Sequence, residues 1–146
     1  MKREKGFTLI EVLLVIGIIA ILAAIVIVAI NPARQLAQAR NAQRWSNINT
    51  VLSAIHQYSI DHNGNLPDGI ASTTTEICQT GAASCTGLIN LADLTDTYVV
   101  SVPVDPSCPA GCATNGVGYK VFKSTNGRVT VEAPQAELST VIKVTR

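Results

Sequence analysis

The chain opens on an apolar stretch without period and then passes into helical and strand periodicities. Residues 7–30 hold 21 apolar side chains in 24 positions, and from Val12 to Ile30 only Gly17 is not strictly apolar. At 1.5 Å rise per residue, such a run predicts a helix of about 36 Å, enough to cross a hydrocarbon core of about 30 Å. Asn31-Pro32 interrupts it. Proline removes an intrahelical donor and clashes one turn back, which predicts a helix kink at Pro32. The other reading is that Asn31 caps a new helix with Pro32 at its first position. Trp45, Ile48, Leu52, Ile55 and Tyr58 then recur at spacings of three and four. They predict an amphipathic helix whose apolar face, Trp45 included, packs on a following domain. Asn63-Gly64 stops it.

Residues 63–97 show no clean period and read as loop, with a short helix near 88–94. Strand patterning follows in 98–104, 118–123, 128–133 and 139–144, with Ser124-Thr125-Asn126-Gly127 as a hairpin turn. The expected fold is α+β: a long hydrophobic helix (7–30), an amphipathic helix (31–62), and a head (63–146). The head divides into a loop (63–97) and a small antiparallel sheet (98–146) packed on the second helix.

Charge orients the apolar segment. Lys2, Arg3 and Lys5 precede it and no cation follows until Arg34, so the N-terminus is expected in the cytoplasm and the rest outside. A secretory signal peptide would have a shorter apolar region followed by a small-residue cleavage site. A plain anchor accounts for everything except Glu11. A carboxylate in a membrane helix is costly and needs a partner, and no Lys, Arg or His lies within the segment. A partner from another chain is the natural inference.

Lys5-Gly6-Phe7-Thr8-Leu9-Ile10-Glu11 resembles the processing site of type IV prepilins and type II secretion pseudopilins. The resemblance implies that a membrane aspartyl peptidase, the prepilin peptidase, cuts between Gly6 and Phe7 and methylates the new Phe7 amine. It also implies that Glu11 pairs with the Phe7 ammonium of a neighbouring subunit and so sets a filament's register. Removal of residues 1–6, the leader, takes away Lys2, Arg3, Glu4 and Lys5 and moves the net charge from +1 to −1. Family members often carry a helix-breaking proline where this chain has Val28. The segment from Tyr58 to Pro67, with His62 interrupting an Asp-Asn-Gly triplet, is also similar to that family, as is Val102-Pro103-Val104-Asp105-Pro106.

Arg34, Arg40 and Arg44 stand in a stretch without acids, whereas eight of the ten acids lie from Asp61 onward. A basic stem under an acidic head predicts complementarity between stacked subunits; the alternative is solvated arginines. Neither this clustering nor the net charge favours nucleic acid. Four cysteines allow three connectivities, and outside the cytoplasm disulfides are favoured. The expected pairs are local, Cys78 with Cys85 and Cys108 with Cys112. A four-cysteine zinc site is the rival, without the usual C-x2-C grip. His56 and His62 read as surface residues. The aspartates lack calcium-loop spacing, so neither metal nor cofactor is expected. No catalytic motif is present, and an enzyme is not expected.

These readings converge on a structural subunit of a type IV pilus-like filament. It would wait in the inner membrane and polymerise through its apolar helix as a homo-oligomer, with help from inner-membrane assembly machinery, to reach the cell surface. A secretion or competence pseudopilin is the alternative within the class. A membrane-tethered extracytoplasmic binding module is the alternative outside it.

Overall fold

A computed structural model describes residues 6–146 of the chain. Of the expected leader, only Gly6 falls among them; Lys2, Arg3 and Lys5 lie outside the described residues. The chain divides into an N-terminal unit that ends at Leu36 and a second unit, Ala37–Arg146.

In the first unit, α1 spans Leu9–Ile30. Thr8 caps it in extended conformation, and none of its 22 residues is buried. Asn31 ends the helix in the left-handed region, at φ 49°. Its side-chain oxygen then accepts from the Arg34 amide at 3.3 Å, so the same residue opens α2, Pro32–Asp61. Pro32 takes the first helical position, where a missing N–H costs nothing. The kink expected at Pro32 is therefore a one-residue interruption at Asn31: the helix stops and restarts.

The second unit is built on the rest of α2. Ile48, Val51, Leu52, Ala54 and Ile55 are buried at the spacing of one helix face, with Tyr58 packed against the same cluster. Trp45 departs from the expectation and is 40% exposed. The inward position beside it belongs to Arg44, which is fully buried. A guanidinium displaces an indole from the core side here because partners for its donors lie waiting there. At the far end Asn63 and Gly64 adopt positive φ, and the Gly64 amide donates to Ser59 O at 2.7 Å, which closes the helix.

Four antiparallel strands cover this face in the order β1 (Thr75–Cys78), β2 (Gly116–Lys123), β3 (Val129–Glu132), β4 (Lys143–Thr145). Val121, Val131 and Val144 stand opposite one another across β2, β3 and β4; Val121 and Val131 are fully buried and Val144 packs against the core from the edge. The alternate row, Lys120, Glu132 and Lys143, therefore lies on the other side. Burial pushes the Tyr119 phenol up to about 12, and its oxygen accepts from Asn47 of α2 at 2.8 Å.

Three strand expectations change. β1 lies inside 63–97, expected as loop, and residues 98–104 form no strand beyond one bridge between Thr95 and Val99. Four residues are too few to show a period, whereas 98–104 alternates well but pairs with no strand of the sheet. Val102 N donates instead to Thr80 Oγ1 at 3.0 Å, and Val100 is 86% exposed. The last strand also starts late, because Leu138 and Ser139 turn the chain at positive φ. The short helix expected near 88–94 is a single turn, Ala92–Leu94.

Candidate processing and assembly site

Gly6, Phe7 and Thr8 precede α1 in irregular backbone. Phe7 is 88% exposed, and a Cβ placed on Gly6 would meet nothing within 4 Å among the described residues. The Gly6–Phe7 peptide is thus open to approach, just outside the first helical turn. A peptidase needs extended, accessible backbone, and the Thr8 cap fixes where the helix begins and the extended segment ends.

Thr8 and Glu11 form a reciprocal capping box. Glu11 N donates to Thr8 Oγ1 at 3.4 Å; Glu11 Oε2 accepts from Thr8 N at 2.8 Å and from Thr8 Oγ1 at 2.7 Å. Glu11 therefore has a local partner that spacing of charges alone did not reveal. The signal was in the sequence, as Thr-x-x-Glu ahead of an apolar run. The carboxylate sits at the positive end of the helix dipole, and its second oxygen takes no bond within the described residues. It can accept a further cationic donor without losing the cap.

The second unit carries a separate polar cluster. Arg44 Nε and Nη2 donate to the two oxygens of Asp105 at 2.8 and 3.1 Å. Nη1 donates to Asn41 Oδ1 at 2.9 Å and to Glu137 Oε2 at 2.9 Å, and Nη2 also reaches Ser107 Oγ. All five guanidinium N–H donors are satisfied. Arg40 holds Glu137 from outside, through Nε at 2.7 Å and Nη2 at 2.6 Å. Arg40 and Arg44 are thus neutralised by their own head. The complementarity expected between subunits is, for Arg40 and Arg44, a contact within one chain.

The two guanidiniums, Arg40 first and Arg44 second, hold the Glu137 carboxyl down at about 2, against an ordinary 4.5. A depressed carboxylate contributes stability above its unfolded value and loses it as pH falls through the folded one. The Glu137 contribution is therefore expected to be complete above about pH 5 and gone near pH 2. In melting curves of the full chain, Glu137→Gln should lower Tm at pH 7 and leave it unchanged near pH 2; a Tm difference that persists there would refute the assignment.

The four cysteines form two local disulfides, Cys78 with Cys85 and Cys108 with Cys112, with Cα–Cα distances of 5.6 and 5.5 Å. The second brackets the turn after Asp105. Gly118 of β2 passes under it at φ +81°, where a Cβ would lie 2.8 Å from both Asp105 Cβ and Cys112 Sγ. Only glycine fits, on both conformation and space. Glu76 braces the same turn by accepting from Gly118 N at 2.9 Å and Ala113 N at 3.2 Å.

A long, wholly exposed apolar helix, a second helix and a small antiparallel sheet together define an α+β, pilin-like protein. Residues 1–27 match the family model described as the prokaryotic N-terminal methylation motif. The chain is 43% identical over 63 residues to the "Type IV wide pilus major component PilA4" of Thermus thermophilus, a match covering 43% of this chain and 47% of that one. It is 40% identical over 66 residues to the "ComG operon protein 3 homolog" of Bacillus licheniformis, over 45% of this chain and 66% of the relative. The matches thus span about half to two thirds of these relatives. No solved structure matches. The resemblance to type IV pilins and pseudopilins rests on these matches as well as on the Gly6 to Glu11 motif.

Proposed function

We propose that the chain is a structural subunit of a type IV pilus-like filament, cut between Gly6 and Phe7, methylated on Phe7, and polymerised through α1. The observation that carries this reading is α1 itself: 22 residues, with a stretch of 18 at mean hydropathy 3.5, no residue buried and one carboxylate in the first turn. An exposed apolar surface of that size demands a partner. At 1.5 Å per residue it is about 33 Å long, a match to a bilayer core. A simple anchor has no use for that carboxylate beyond the Thr8 cap. A helix that leaves the bilayer for a bundle of its own copies does, because each new Phe7 ammonium needs a counterion once water and headgroups are gone.

The outward face of α2 supports the same reading. Ala42, Ser46, Thr50, Ser53 and Gln57 are exposed and uncharged, so neighbouring helices can cover them without burying ions. A competence-type pseudopilus is the second reading, favoured by the match to the ComG operon protein. Either way the precursor sits in the membrane and the assembled form is displayed outside it.

Mass spectrometry of the mature chain from peptidase-competent cells is expected to show methylated Phe7 at the N-terminus. An N-terminus at Met1 would leave the tethered binding module as the better reading. Electron microscopy of sheared surface material, with identification of its protein, separates a surface pilus from a short pseudopilus.

A further inference from the structure

With Arg40 and Arg44 paired internally, two groups of exposed like charges on the second unit stand at opposite edges of the sheet. Asp61, Asp93 and Asp96 are exposed on the β1 side. The segment bearing Asp93 and Asp96 is laced to β1, since Cys78 N donates to Ile89 O at 2.8 Å and Ile89 N to Glu76 O at 2.9 Å. Tyr98 joins it to the end of α2 by donating to Asp61 Oδ2 at 2.8 Å, and that carboxylate holds the phenol above its ordinary value. At the opposite edge stands β4, with Lys143 exposed. Arg128 and Arg146 lie at the end of that edge, brought together by the paired backbone bonds of Val129 and Arg146 at 2.8 and 3.0 Å.

Among the described residues the ion pairs are those of Arg40 and Arg44 alone, so none of these six charges is neutralised by a counterion among those residues. From edge to edge, Glu76, Lys120, Glu132 and Lys143 stand opposite one another in register, alternating in sign and ending on Lys143 at the β4 edge.

We infer that the acidic β1-side edge of one copy docks on the basic β4-side edge of a second copy of this chain. This rests on the reading of the chain as a self-assembling subunit. Like edges repel, so a two-fold dimer is disfavoured and the contact is head to tail. A heterologous contact that does not close into a ring propagates as a helical filament. β4 has three residues and an exposed lysine, features that discourage strand addition. The contact is therefore made by side-chain ion pairs.

The test uses the full chain in membranes and a zero-length carbodiimide, which joins a carboxylate to an amine as an amide with loss of the activating group as a urea. Mixed isotope-labelled and unlabelled chains identify intermolecular products by mass spectrometry. Amides from Lys143 to Asp61, Asp93 or Asp96 of another copy are expected, and they should diminish severalfold at about 0.5 M salt. Arg128→Glu with Lys143→Glu should cut cross-linking and sheared filament yield at least about tenfold, as should Asp93→Lys with Asp96→Lys. All four changes in one chain restore opposite signs and should recover both. Absence of intermolecular Lys143 products, or a fourfold variant no better than either double, overturns the inference. Cross-links without filaments from the unaltered chain would leave edge docking standing and sink the pilus reading instead.

Discussion

Arg44→Ala should destabilise the second unit by about 3–5 kcal/mol, the range for removing one partner of a buried ion pair. Both side chains of the Arg44–Asp105 pair are fully buried. Truncation leaves the Asp105 carboxylate with the Ser107 amide and no cation, inside a site closed to water. For a unit of this size, that loss lowers Tm by roughly 15 °C. Arg44→Lys should recover little of it. An ammonium has three donors and no planar fork, and here five donors are in use toward Asp105, Glu137, Asn41 and Ser107. Chemical denaturation of the full chain in detergent measures the difference. A loss below about 1 kcal/mol would mean that water enters and screens the cluster.

Glu11→Ala should reduce filament yield at least about tenfold while the precursor stays in the membrane. The two roles of Glu11 are separable by magnitude. As half of a capping box it contributes about 0.5–2 kcal/mol to helix α1. That is small beside the burial of some twenty apolar side chains at about 1.5–3 kcal/mol each, so membrane insertion survives its loss. The counterion role has no substitute, because the segment holds no other acid. Thr8→Ala is the control: it removes the cap and keeps the carboxylate, and filaments should form near the usual yield. If Thr8→Ala and Glu11→Ala fail alike, capping rather than register explains the phenotype, and the proposed intersubunit pairing falls.

The two predictions concern opposite kinds of residue. Glu11 stands out in the sequence as one acid in a long apolar run, and Thr8 three residues earlier announces its cap. In the sequence Arg44 reads as a stem cation, paired between stacked subunits or solvated, on a helix whose apolar spacing runs through Trp45. Nothing near Arg44 in the chain marks it as buried. Its partners Asp105 and Glu137 lie 61 and 93 residues away. The same holds for the edge charges, whose segregation along the chain was visible but whose separation across a sheet was not.

The sequence by itself determined what depends on neighbours within a few residues. That includes the apolar helix and its length, the stop at Asn31 and Asn63-Gly64, the Thr8–Glu11 cap, the 118–123 and 128–133 hairpin, and the local pairing of the cysteines. Periodicity, capping and short-range covalent reach are local properties, so they are legible in order along the chain. Tertiary structure alone decided that β1 forms from four residues inside an apparent loop, that 98–104 forms no strand, that Trp45 yields the core side to Arg44, and that Arg40 and Arg44 are neutralised by the head. Each of these turns on whether a partner distant in sequence arrives to satisfy a donor, a strand edge or a charge. The desolvation cost of leaving such a group unpaired exceeds any local preference of the residue that carries it.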